Sequence, residues 1–289
     1  MADTMVHEPA APPVEARPRP ARLRRTPTTY LLRAVVTAYL FFLVAWPVSL
    51  VATNTFDNGF DSIRSLVEDP DMVVALQLSA YVAVWSVVIN TLFGVGISLL
   101  LVRYEFPGKR LLNALLDIPL SVSPIVVGLA LVLVYGSRNG WFGPTLAGWG
   151  LQVIFSTPGI IMATTFVALP LMVRELVPVL EEIGIEQEQA AESLGANGLQ
   201  RFWRITLPSI KWAIVYGVVL TLARSLGEFG AVKVVSGNVA GDTQLATLLV
   251  QQRYQNFQQE TAYAVSFLLA FAAVLCIVVV ALLRPKEQQ

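Results

Sequence analysis

Six stretches of the chain, 34–53, 73–102, 118–137, 151–173, 212–237 and 261–283, are long and apolar, and all but 212–237 lack a charged side chain. About 20 apolar residues at 1.5 Å rise cross a hydrocarbon core of about 30 Å, so each stretch has the length of a membrane span. Inside lipid every backbone N–H and C=O must find its partner within the segment, which makes these spans helices. Only 14% of the 289 residues are charged, against about 25% in an ordinary soluble domain. The expected fold class is therefore an all-α polytopic membrane protein with about six transmembrane helices.

Between the runs, lysine and arginine alternate in density. They gather in the N-terminal tail and in 103–110, 174–211 and 284–289. Segment 54–72 has Arg64 alone among Asp57, Asp61, Glu68, Asp69 and Asp71; 136–150 has only Arg138 and 238–260 only Arg253. Because basic loops stay inside, both termini are expected in the cytoplasm of a cell whose inner (plasma) membrane holds the chain. Residues 1–29 hold six prolines and five arginines and few apolar side chains, a composition expected to be disordered. The Arg24-Arg25 pair precedes an apolar run too long for a signal peptide and without an Ala-x-Ala site, which predicts an uncleaved first span. Residues 30–289 form the expected transmembrane domain.

Several function classes drop out on composition. Net charge is zero, which offers no basic field for nucleic acid. A single Cys276, in an apolar run, and a single His7, in the tail, supply neither a disulfide nor a metal site. Cys276 reads as a small apolar side chain. The one Gly-Lys pair, Gly108-Lys109, leads to Arg110 and lacks the upstream glycine of a phosphate-binding loop. No catalytic, cofactor or metal residues are therefore expected, and any energy from ATP-Mg must come through a partner.

Segment 174–211 is the one long internal loop. Leu176, Val179, Leu180 and Ile183 recur at helical spacing, extending the fourth span as an amphipathic helix that Gly184 ends. A short helix follows over 186–194, with Ala190, Ala191 and Leu194 on one face and Gly195 as its cap. Leu199, Phe202, Trp203 and Ile205 make another apolar stripe, and Pro208 can open the fifth span, where a missing N–H costs nothing. As an isolated pattern the alanine face reads more readily as an amphipathic hairpin lying on the membrane surface or packing on its own bundle.

The fifth stretch carries Arg224, Glu228 and Lys233. About 18 Å along a helix from Trp212, Arg224 falls at mid-membrane, where a bare charge costs roughly 2.5 to 3.5 kcal/mol and requires a partner. Glu228, one turn on, is the first candidate. Two readings stay open: a pair that holds two subunits together, or a pair that lines the pathway and gives an anion positive potential. Gly227 and Gly230 are read as points of close helix approach.

Gln189-Ala190-Ala191, Leu194-Gly195-Ala196, Ile205 and Leu207-Pro208 together resemble the EAA loop of ABC-importer permeases. The resemblance implies a type I importer permease fold and a coupling helix seated in a cytoplasmic ATPase. Its ATPase-docking residues would be Glu188, Gln189, Ala190, Ala191, Leu194, Gly195, Ile205, Leu207 and Pro208. Gln189 departs from the family's usual glutamate, and Glu188 and Glu192 flank it. Arg224-Ser225-Leu226-Gly227-Glu228-Phe229-Gly230-Ala231-Val232, Arg253-Tyr254-Gln255-Asn256-Phe257, Phe106-Pro107-Gly108-Lys109-Arg110 and 117–124 are similar to the sulfate and molybdate permease group, most of all its CysW type. What that implies is import of sulfate or thiosulfate, with molybdate or tungstate as the alternative. It also implies a CysT-type permease subunit, a CysA-type ATPase dimer that binds ATP-Mg, and an external sulfate-binding protein. An ion-coupled secondary carrier, with Glu228 titrating, is the alternative of another class. Pro119, Pro124 and Pro170 are candidate bends.

Overall fold

In a computed structural model, residues 27–57 and 59–283 are described. The tail expected to be disordered lies outside the described residues up to position 26, and a helix begins at Pro27. All regular elements among the described residues are helices. The chain divides into residues 1–48 and 49–289. The first unit's described part is the opening of helix α1, Pro27–Phe56.

Within the second unit, α2 (Asp61–Glu68) leads to α3 (Pro70–Arg103), then α4 (Lys109–Ser121), α5 (Pro124–Tyr135) and α6 (Gly143–Gly148). Next come α7 (Thr157–Ile183), α8 (Glu186–Ser193), α9 (Gly198–Leu226), α10 (Gly230–Val235), α11 (Ala246–Gln255) and α12 (Gln259–Leu283). Five of the helices, α1, α3, α7, α9 and α12, are long and apolar enough to cross a membrane, and α4 with α5 makes a sixth crossing if that bent pair is one span.

The third apolar stretch is broken: α4 and α5 meet at 115°. Val122 (φ −99°, ψ 141°) and Ser123 (φ −58°, ψ 134°) are out of the helical region, and at Ser123 the ring of Pro124 disfavours helical backbone. Pro124 then occupies the first turn of α5. Pro119 lies inside α4, and Pro170 and Pro178 inside α7.

Pro208 does not open the fifth span. Helix α9 starts ten residues earlier at Gly198, where Asn197 and Gln200 form a reciprocal cap: Asn197 Oδ1 accepts the Gln200 N–H at 2.8 Å and Gln200 Oε1 accepts the Asn197 N–H at 3.0 Å. A proline inside a helix clashes with the carbonyl four residues back. The chain absorbs this by widening to a π-turn over Phe202–Thr206 immediately before Leu207-Pro208. The same device, Phe41–Ala45 before Trp46-Pro47, occurs in α1.

The second unit is organised around the packing of α3, α7 and α9. Met172 of α7 is wholly buried with Val95, Leu176, Leu180, Ile210 and Ala213. Gly94 of α3 and Gly217 of α9 leave the room it fills: a Cβ built on Gly94 would lie 2.4 Å from Met172 Cγ, and one on Gly217 2.4 Å from its Sδ. Without a strong hydrophobic drive between helices in lipid, such close approach is what lets dispersion hold them. A polar seam runs alongside, with the Ser225 hydroxyl donating to Ser86 Oγ at 3.3 Å and Asn90 Nδ2 to the same oxygen at 3.4 Å. A second core joins α5, α7 and α10 through Val127, Ile160, Val167, Val232 and Val235.

Candidate functional site

Helix α7 ends at Gly184, whose backbone (φ 71°, ψ −163°) is open only to glycine. The turn throws the chain into α8, and α8 ends at Gly195 (φ 86°). There the Ala196 N–H reaches back to the Ala191 carbonyl at 3.0 Å and the Gly195 N–H to the Glu192 carbonyl at 2.9 Å, closing the end with a left-handed glycine. Helix α8 therefore stands between two glycine turns. None of its residues is buried.

Gln189 and Ala190 are exposed, Ala191 is half-buried, and Gly195 is exposed with open space where a Cβ would stand. Leu194 is 89% exposed, with Ile185, Leu199 and Trp203 also exposed nearby in sequence. Ile205 and Leu207 are half-buried and Pro208 exposed. Leu194, Ile185, Leu199 and Trp203 thus leave large apolar side chains uncovered on and beside a short polar helix. Glu188 is different. It turns inward, its Oε1 accepting from Arg103 Nη2 at 3.1 Å and from the Thr206 hydroxyl at 2.9 Å.

The second set lies where α9 breaks. Helix α9 stops at Leu226, and α10 starts at Gly230. Arg224 Nη1 lies 2.7 Å from Glu228 Oε2, an ion pair by distance without a directed hydrogen bond. The Glu228 side chain is 1% exposed and that of Arg224 35%. Glu228 Oε1 accepts the Ala231 N–H at 2.9 Å, so the carboxylate also caps the first turn of α10. The Glu228 carbonyl accepts the Thr247 hydroxyl at 2.8 Å, which ties the break to α11. Each charge thus has an opposite charge beside it within one chain, while Glu228 Oε2 accepts no hydrogen bond. Lys233, exposed on α10, lies with Nζ 5.3 Å from the Phe229 ring centroid.

Gly230 does what the sequence reading asked of it: a Cβ there would meet Pro124 Cβ at 2.9 Å. Gly227 does not, since its nearest contacts would be carbonyls of its own helix at 3.7 Å or more. The close approaches that sequence reasoning missed are Gly94 and Gly217 against Met172, and Gly128, where a Cβ would lie 2.8 Å from the Ala231 carbonyl oxygen. The inward role of Glu188, with Arg103 and Thr206, was also missed; Arg103, a basic residue at the end of an apolar run, was its one visible signal. Cys276 is a free thiol, half-buried in α12. Among the described residues no cluster of His, Cys, Asp or Glu could hold a metal ion.

Residues 90–285 match the family described as binding-protein-dependent transport system inner membrane component. The chain is 45% identical over 257 residues to a protein of Synechocystis sp. named sulfate transport system permease protein CysW, covering 89% of this chain and 93% of that one. It is 35% identical over 237 residues to the sulfate transport system permease protein CysT of Salmonella typhimurium, covering 82% and 85%. In fold it is similar to a chain of a bacterial alginate ABC transporter crystallised with an alginate pentasaccharide-bound periplasmic protein. The TM-score is 0.73 at 16% identity, over 88% of this chain and 92% of that one. The chain belongs to the family of binding-protein-dependent transport system inner membrane components, as a non-catalytic permease subunit with the ABC-importer permease fold.

Proposed function

We propose that this chain is the CysW-type half of the membrane channel of an ATP-driven importer for sulfate and thiosulfate. The observation that carries the reading is the 45% identity, along 89% of the chain, to a protein named as a sulfate permease. The α8 surface supports it, because a short helix with no buried residue and a free Leu194 is an element waiting for a partner. In this reading α8 faces the cytoplasm, as do both termini. A CysA-type ATPase dimer binds ATP-Mg and seats Gln189, Ala190, Ala191, Leu194 and Gly195. A CysT-type chain forms the other half of the channel, and an external sulfate-binding protein delivers the anion. Closing of the ATPase dimer displaces α8 and exchanges inward for outward access. Glu228, buried and held by Arg224 and the Ala231 N–H, serves the fold at the α9–α10 break.

The test is uptake by proteoliposomes holding the four kinds of chain. Labelled sulfate should accumulate only with ATP and the external binding protein, and stop with a catalytically dead ATPase. Excess thiosulfate should compete and molybdate should not. Uptake without ATP would contradict the importer, and competition by molybdate alone would move the substrate to that oxyanion.

A further inference from the structure

We infer that Glu188 is a positioning residue: with Arg103 and Thr206 it forms the link through which movement of α8 reaches helices α3 and α9. The inference rests on the importer reading above and deepens it.

The Glu188 Oε1 atom accepts three hydrogen bonds, from Arg103 Nε at 3.3 Å, Arg103 Nη2 at 3.1 Å and Thr206 Oγ1 at 2.9 Å. Arg103 is the last residue of α3, and its Nη1 also donates to the Leu180 carbonyl at 3.1 Å. That carbonyl belongs to the last turn of α7 and has no acceptor role left inside its own helix. Thr206 closes the widened turn of α9. One carboxylate oxygen of α8 therefore joins the end of α3 to the wide turn of α9, and Arg103 carries the junction on to the end of α7.

Two features make this junction mechanical rather than decorative. Helix α8 contributes no buried residue, so apolar packing does not hold it, and left-handed glycines stand at both of its ends. Its side-chain ties to the rest of the chain, among the described residues, are Glu188 and the Glu192–Arg201 ion pair. The second pair is the weaker, with Glu192 63% exposed and screened by water. The side chains of Arg103 and Glu188 are 11% and 20% exposed, and hydrogen bonds to charged groups shielded in this way are the strong ones. The wide turn adds compliance in the right place, since Thr206 lies where the α9 ladder is already loosened ahead of Pro208.

The experiment measures sulfate moved per ATP hydrolysed in the reconstituted complex, with assembly checked by co-purification of the ATPase. Glu188→Ala should leave the ATPase bound and turning over while the ratio falls roughly tenfold, the scale of a lost charge-assisted hydrogen-bond set. Thr206→Val, which keeps shape and removes only the hydroxyl, should lower the ratio about threefold. The double variant should do no worse than Glu188→Ala, because both act on one link. An unchanged ratio in the variants, or losses that multiply, overturns the inference. If Glu188→Ala does not assemble, Thr206→Val decides by the same criterion. Amide hydrogen exchange separates this idea from the functional reading. A wild-type complex that moves no sulfate defeats the importer reading alone. The link then stands if Glu188→Ala accelerates exchange in α8 and the last turn of α3, and falls if exchange there is unaltered.

Discussion

Gly94→Ala should lower the stability of the purified chain by about 1–3 kcal/mol, whereas Gly96→Ala, two residues along the same helix, should be neutral or stabilising. Alanine is the better helix former by about 1 kcal/mol, so propensity alone favours both changes. Space decides between them. At Gly94 the new methyl would lie 2.4 Å from Met172 Cγ and 3.0 Å from its Cβ, atoms too close to the α7 backbone to swing aside; at Gly96 nothing lies within 4 Å. Met172 is wholly buried where α3, α7 and α9 meet, and overpacking there forces the helices apart. Adding Met172→Ala to Gly94→Ala should cost less than the sum of the single changes, because the methyl takes up part of the vacated volume. Thermal unfolding in one detergent measures the parent and all four variants. Equal melting temperatures for the Gly94 and Gly96 variants would remove Met172 from its place at the centre of the packing.

Arg224→Leu should destabilise the chain by about 2–4 kcal/mol. Removing one partner of a buried pair costs more than the pair contributes, because the other is left buried without compensation. The Glu228 side chain is 1% exposed. Arg224, at 35% exposure, is partly solvated, which places the loss toward the lower end of that class. Glu228→Gln in the same background should restore most of the stability, since the amide oxygen can still accept the Ala231 N–H. Anion uptake separates the two readings of Arg224. If the guanidinium only satisfies Glu228, the double variant recovers uptake together with stability. Recovery of stability without uptake would give Arg224 a direct part in the pathway.

Five of the spans were legible because lipid imposes a demand that composition cannot disguise, about 20 apolar residues with every backbone group bonded internally; the 115° bend that splits the third stretch was not. The glycine turns around α8 were legible for a comparable reason, as Gly184 and Gly195 occupy backbone that other residues enter only with strain. Pro208 misled because its meaning depends on what precedes it. A proline opens a helix or interrupts one, and the widened Phe202–Thr206 turn that accommodates it has no sequence signature of its own. The glycines show the same limit. Gly227 and Gly230 look alike in the chain, yet Pro124 approaches only Gly230, and the partner helix is chosen by tertiary packing. Glu188 is the instructive case at the site. Among Glu186, Glu188 and Glu192 nothing in the sequence distinguishes the carboxylate that turns inward, and the partner that turns it, Arg103, lies 85 residues away.

In the proposed importer, α8 is where an ATPase grips this chain and moves it. Ala190→Trp combined with Ala191→Glu alters that surface at one exposed and one half-buried position and replaces no buried residue. In proteoliposomes supplied with ATP and the external binding protein, this variant should fold with the stability of the parent, lose the ATPase on purification and accumulate no sulfate. Retention of the ATPase together with undiminished ATP-driven accumulation would contradict the claim.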